Sequence, residues 1–132
     1  IAGNWGLSSL KVAQIVGSQE IEGTVMGQAL DLSLERPKAF VARMEKEYGK
    51  DFRWPVIAAL GYDAAQVALK ALDTASAINH KAVRDALEAV DGINAISATP
   101  ARPFGPKDHE CLDKENVFLG VWKGGQVVRL KD

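Results

Sequence analysis

The stretch Val117-Phe118-Leu119-Gly120-Val121-Trp122-Lys123-Gly124-Gly125-Gln126-Val127-Val128-Arg129-Leu130 sets two apolar, β-branched runs on either side of a Gly-Gly pair. Primed two-residue turns require positive φ at their central positions, which glycine adopts without steric cost, so the pattern predicts a β-hairpin. Upstream, Trp54-Pro55 opens a run carrying Val56, Ile57, Leu60, Ala64, Val67, Ala68, Ala71 and Leu72. Alanine and aliphatics at this density predict a long helix, expected to be buried on most sides. A hairpin and a long helix in one chain place it in the α/β class.

The rest of the chain fits between these two features. Gly3-Asn4-Trp5-Gly6 is a turn-forming cluster, and Leu7 to Val16 reads as a short helix that Gly17 stops. Glu22 to Gly27 suits a short strand bounded by glycines. Pro37 fits the first turn of a helix whose Phe40, Val41, Met44 and Tyr48 share one face until Gly49 ends it. Its other face holds Lys38, Arg43, Glu45, Lys46 and Glu47 and reads as solvated. Asn79 is a good N-cap for a helix from His80 to Val90, with Val83, Leu87 and Val90 as its apolar stripe and Asp91-Gly92 at its end. Ile93 to Thr99 is expected to form a short strand. No repeat and no low-complexity linker interrupts the chain.

Composition limits the function. The chain has 132 residues, 47% hydrophobic and 25% charged, which suits one ordinary domain. Its 16 Lys and Arg against 17 Asp and Glu leave a formal charge of -1, so no basic field marks a nucleic-acid partner. Apolar runs such as Val56 to Leu60 are far shorter than the roughly 20 residues of a membrane helix, so no membrane insertion is expected. The chain opens Ile1-Ala2-Gly3 without the features of a signal peptide, and it reads as a processed product or a piece of a longer chain. Cys111 is the only cysteine, which precludes an internal disulfide.

Two clusters carry candidate chemistry. Asp108-His109-Glu110-Cys111-Leu112-Asp113 gathers metal-ligating and nucleophilic side chains. In an extended segment His109 and Cys111 would share a face, which gives the alternative of a small metal- or thiol-dependent enzyme. Against it, no second Cys or His pair stands at zinc spacing, and His80 lies in the first turn of a helix. The chain also lacks a GxGxxG or P-loop pattern, a G-x-S-x-G elbow and a His-Glu-x-x-His helix. No catalytic residue, metal ligand or cofactor is assigned. Gly3-Asn4-Trp5-Gly6 is a candidate of another kind, able to offer N–H groups, a side-chain amide and an aromatic wall to an anion. The plainer alternative is that Trp5 packs as a hydrophobic staple and Asn4 merely turns the chain.

Taken in order, Glu22-Gly23-Thr24-Val25, the helix ending Tyr48-Gly49, Leu60-Gly61-Tyr62-Asp63-Ala64-Ala65 and Val83-Arg84-Asp85-Ala86-Leu87-Glu88 resemble the C-terminal portion of type I periplasmic solute-binding proteins. The Leu/Ile/Val-binding group of ABC transporters is the nearest branch. Phe104, Asp108-His109, Leu112-Asp113 and Val121 to Gly125 resemble that family's tail, and the Asp-His form resembles a branch that binds aromatic carboxylates.

The resemblance implies a two-lobe clamp, with residues 1–132 contributing to both lobes and to the hinge. It also implies a periplasmic location, ABC transporter membrane subunits as partners, and a small amino acid or aromatic carboxylate as ligand. Asn4, Trp5 and Gly6 fall on the loop of the second lobe that touches the ligand, and Ile57 and Ala58 on positions that approach it from the cleft wall. Trp5 stands near where amino-acid binders often carry an acidic residue, which favours an aromatic or apolar carboxylate. Tyr62 and Asp63, deeper in the helix, are assigned a structural role. The same scaffold serves sensory receptors, and sequence does not separate transport from sensing. Apolar surface left bare without a partner lobe would favour a dimer of the segment.

Overall fold

The computed structural model describes residues 1–49, 52 and 54–131. Along them run β1 (Ala2–Gly3), a 3-10 turn (Trp5–Ser8), α1 (Leu10–Val16), β2 (Val25–Gln28), α2 (Glu35–Tyr48), α3 (Pro55–Thr74), α4 (His80–Glu88), β3 (Phe118–Lys123) and β4 (Gln126–Arg129). The strands form one sheet in the order β1-β2-β3-β4, in which β1 is parallel to β2 and the other pairs are antiparallel. The α/β class follows from these elements.

The hairpin forms as the Gly-Gly pair requires. Lys123 pairs with Gln126 across a two-residue loop, and Gly124 and Gly125 hold φ of +59° and +78°. The Gly124 N–H donates to both Glu22 carboxylate oxygens at 3.1 Å, which ties the turn to the chain just before β2.

Helix ends follow their capping side chains. The expected single helix from Leu7 to Val16 is instead a 3-10 turn followed by α1, because Asn4 and Ser9 each cap their own turn. Asn4 Oδ1 accepts from the Gly6 N–H at 2.9 Å, and the buried Ser9 hydroxyl accepts from the Lys11 N–H at 3.2 Å. α2 carries Pro37 in its first turn, and Phe40 is buried with Val41 and Met44 packed beside it. Tyr48 is exposed, so the apolar stripe stops a turn earlier than its sequence spacing suggests. Asn79 caps α4 as expected, accepting from the Ala82 N–H at 3.0 Å.

α3 departs from expectation. Val56, Ala59, Asp63, Val67 and Ala71 are buried, which is one stripe at helical spacing, whereas Ile57, Leu69 and Leu72 are 49%, 64% and 44% exposed. Neighbours cover one side only: α2 and the 96–98 segment near its start, α4 and Val90 to Ile93 near its end.

The expected strand from Ile93 to Thr99 is absent, and Asp63 supplies the reason. Its fully buried carboxylate accepts the Ile96 N–H at 2.7 Å, the Ser97 N–H at 2.8 Å and the Ser97 hydroxyl at 2.6 Å. Donors that would have entered a ladder are held by a helix side chain instead. Arg36 donates to the carbonyls of Asn94 and Ala95, and Lys70 to that of Asp91.

Three apolar clusters result. One joins Ala29, Leu30, Phe40, Val56, Ala59 and Ile96; a second joins Val67, Ala71, Val90 and Ile93; a third packs α1 on the sheet through Ile21, Met26 and Trp122. The Trp122 indole N–H donates to the Leu7 carbonyl at 2.8 Å, which fixes the 3-10 turn against β3.

Asp63→Ala leaves the buried Ile96 N–H and the half-buried Ser97 N–H without partners, an unmatched buried donor costing about 1–3 kcal/mol. The expected loss is about 2–5 kcal/mol, with a smaller loss for Asp63→Asn, which keeps one acceptor. Urea denaturation followed by circular dichroism measures both. A shift in midpoint no larger than that of an exposed control such as Asp73→Ala would show that the carboxylate holds nothing.

Candidate functional site

A hollow of about 530 Å³ opens between the sheet and the first turns of α3. On one side stand Ser8 and Leu10 at the entry to α1, with Gln28, Phe118, Trp122 and Val127 from the sheet; on the other stand Val41, Pro55 and Val56. Such a volume suits a small metabolite, and a mostly apolar wall with a few polar groups is the usual make-up of a binding pocket.

Its polar corner is built by Asp31 and Arg129. Asp31 Oδ1 accepts the Ser33 N–H at 3.0 Å and the Ser33 hydroxyl at 2.6 Å, and Arg129 Nη1 donates to Oδ2 at 2.8 Å. Arg129 also lies over the Phe118 ring, 4.3 Å from its centroid. Burial pushes the Asp31 carboxyl up, but the Ser33 hydroxyl, Arg129 and the Ser33 N–H outweigh it and hold it below the ordinary carboxylate range. Asp31 is therefore ionised at neutral pH, and the Arg129 charge is matched within the wall.

The five residues singled out in the sequence stand within a few positions of wall residues along the chain. Asn4, Trp5 and Gly6 sit on the 3-10 turn just before Ser8. Asn4 and Trp5 are exposed, and the Gly6 N–H is taken up by Asn4 itself, so that N–H is not free for an anion. A Cβ at Gly6 would lie 2.9 Å from Asn4 Oδ1, so a larger residue there would displace the capping side chain. Ile57 and Ala58 follow Val56 in the first turn of α3, Ile57 facing outward and Ala58 half-buried against the first cluster. None of the five is in the wall; their neighbours Ser8, Leu10, Pro55 and Val56 are. Each stretch thus lies close in sequence to wall residues, and neither lines the hollow itself.

Sequence reading missed Gln28, Asp31, Ser33 and Arg129, because strand pairing far along the chain assembles them. One signal was available. A glutamine on the same strand face as Met26, at the end of an otherwise apolar strand, asks for a partner.

A second hollow of about 290 Å³ lies between α3 and the 99–112 loop, lined by Leu60, Val67, Leu87, Phe104, Leu112 and Cys111 among others. Burial pushes the Cys111 thiol up, the Thr99 hydroxyl offsets this in part, and the Asp63 charge adds to it. That is the opposite of an activated thiolate. His109 turns elsewhere, its Nε2 3.1 Å from Glu88 Oε1 on α4. Among the described residues no three His, Cys, Asp or Glu side chains are grouped to hold a metal ion. No helix is long and apolar enough to cross a membrane, again among the described residues.

Comparison with known proteins fits this architecture. A family model described as periplasmic binding protein matches residues 5–126. No curated protein sequence matches the chain. Among solved structures the chain is similar to the leucine binding protein LivK of Thermotoga maritima, with 20% identity and a TM-score of 0.68 over 99% of this chain and 36% of that one. It is also similar to a putative branched-chain amino acid ABC transporter from Rhodospirillum rubrum, with 26% identity and a TM-score of 0.67 over 98% and 36%. A third is LivJ of Streptococcus pneumoniae, a branched-chain amino acid transporter substrate binding protein in complex with isoleucine, with 18% identity and a TM-score of 0.74 over 100% and 37%. The chain spans little more than a third of the length of these structures.

Because the Asp31 carboxyl is held below its unfolded value, its contribution to stability is present above about pH 4. It is lost as pH falls through the depressed folded value. Arg129→Ala is therefore expected to lower the melting temperature at pH 7 and to differ less from the parent chain near pH 2. A thermal melt series across that range measures it; a gap that widens on acidification would contradict the assignment.

Proposed function

We infer that this chain, which belongs to the periplasmic binding protein family, is the C-terminal portion of an extracytoplasmic solute-binding protein of an ABC transporter. It captures a small amino acid or an aromatic or apolar carboxylate, makes and breaks no bond in it, and hands it to membrane subunits. The observation that carries this reading is the family match over residues 5–126, joined to a hollow whose two sides are continuous with the turn at Asn4 to Gly6 and the start of α3. Two relatives are described as transporter proteins and three as extracellular ligand-binding receptors, so the scaffold serves both transport and sensing.

In this reading residues 1–132 contribute to both lobes and to the hinge, and the remaining length of the full polypeptide supplies the rest of the clamp. Closure brings Asn4, Trp5 and Gly6 toward Ile57 and Ala58 across the solute. Exposed Trp5 and Ile57 supply apolar area to be buried on closing, and the Asn4 amide can exchange its local bond for one to the solute. A preference for an aromatic or branched side chain follows from that area.

A thermal-shift screen of amino acids and aromatic acids on the full-length polypeptide tests the reading. A hit among them is expected to raise the melting temperature in a concentration-dependent way. Trp5→Ala is then expected to weaken binding by about 1–3 kcal/mol, measured by calorimetry. Unchanged affinity would remove Trp5 from the site, and a panel without a single hit would sink the solute assignment.

A further inference from the structure

Gln28 ends β2 on the sheet face it shares with Met26, and it pairs with Phe118 of β3. It is 3% exposed and lines the larger hollow, and its side-chain Nε2 has no hydrogen-bond partner among the described residues. Space for this side chain is made by Gly120, where a Cβ would lie 2.7 Å from Gln28 Cγ. Nearly all buried polar side-chain atoms have a partner, and leaving a donor unmatched costs stability. Three polar side chains of the wall are engaged elsewhere: Arg129 and the Ser33 hydroxyl go to Asp31, and the Ser8 hydroxyl to the Trp5 carbonyl. The same wall carries apolar Leu30, Val56, Phe118 and Trp122 alongside polar Ser8, Glu45 and Gln126.

We propose that Gln28 is a solute-contacting residue, its buried amide reserved for a carboxylate or carbonyl oxygen of a solute whose apolar body sits in this hollow. The inference rests on the solute-binding reading above and names a donor for it. The terminal torsion of a glutamine is broad and two-fold, so the N–H end can turn toward an incoming oxygen with little strain. A donor that is unmatched in the empty chain also discriminates. An analogue lacking the oxygen gains nothing from it, and one that carries the oxygen removes the deficit.

The test titrates the 15N-labelled full-length polypeptide with L-leucine, L-phenylalanine and benzoate in turn. It follows the Gln28 side-chain amide, identified by its absence in Gln28→Met, and the Trp5 indole. The expected result is a saturable shift of the Gln28 amide with at least one probe. Gln28→Met is expected to bind that probe at least about tenfold more weakly while its melting temperature holds or rises, because the unmatched donor is gone. Gln28→Glu, similar in size but an acceptor when ionised, should lose the same binding. A probe that moves the Trp5 indole but leaves the Gln28 amide unmoved, or binds Gln28→Met as tightly as the parent, overturns this inference and leaves the solute-binding reading standing. Silence of both signals with all three probes overturns both.

Discussion

One buried carboxylate organises the molecule. Asp63, fully enclosed within α3, takes the N–H groups of Ile96 and Ser97 and the Ser97 hydroxyl, so an irregular segment crosses the core without a strand partner. A buried backbone donor must be matched, and here a helix side chain, Asp63, does this for the Ile96 N–H, while Arg36 and Lys70 add exposed bonds to carbonyls of Asp91, Asn94 and Ala95. With its polar groups satisfied, the segment can insert Ile93 into one apolar cluster and Ile96 into another. The Ala98 N–H then donates to the Ala29 carbonyl at 2.6 Å, just beyond β2, which couples the helices to the end of the sheet strand that carries Gln28. The wall of the larger hollow is held in place by this chain of contacts.

Local signals in the sequence were legible where local physics decides. Gly124-Gly125 fixed the hairpin because no other residue pair enters a positive-φ turn so cheaply, and Asn79 fixed the start of α4 through its own side chain. The strand expected at Ile93 to Thr99 failed because the group that captures its donors lies more than thirty residues away, beyond any local pattern. α3 failed in a different way. Composition says that a helix is apolar, but not how many neighbours it will have, and only the stripe through Val56, Ala59, Asp63, Val67 and Ala71 found any. The family was readable from the order of short motifs around Tyr62-Asp63-Ala64, and the match over residues 5–126 agrees with it. Asp63 in that motif holds structure, as its depth in the helix suggested. Tyr62 packs 5.4 Å from the Phe40 ring with Arg43 over both rings.

The lining of the hollow was not legible for a related reason. Asn4 to Gly6 and Ile57 to Ala58 were singled out one stretch at a time, and none of these residues lines the hollow. The groups that line it, Gln28, Asp31, Phe118 and Arg129, come from β2, its following loop and the hairpin, joined by strand register that no single stretch announces. His109 and Cys111 show the converse. Two chemically suggestive residues close in sequence are drawn apart by their surroundings, one to Glu88 and one into an apolar recess beside Thr99.

The most direct test of the clamp is a crystal structure of the full-length polypeptide with its solute bound. The account predicts the solute between the Asn4-Trp5-Gly6 turn and the first turn of α3, touching both, with one of its oxygens on the Gln28 amide. A solute seated elsewhere, or a metal ion held by the Asp108 to Asp113 loop with the hollow left vacant, would contradict it.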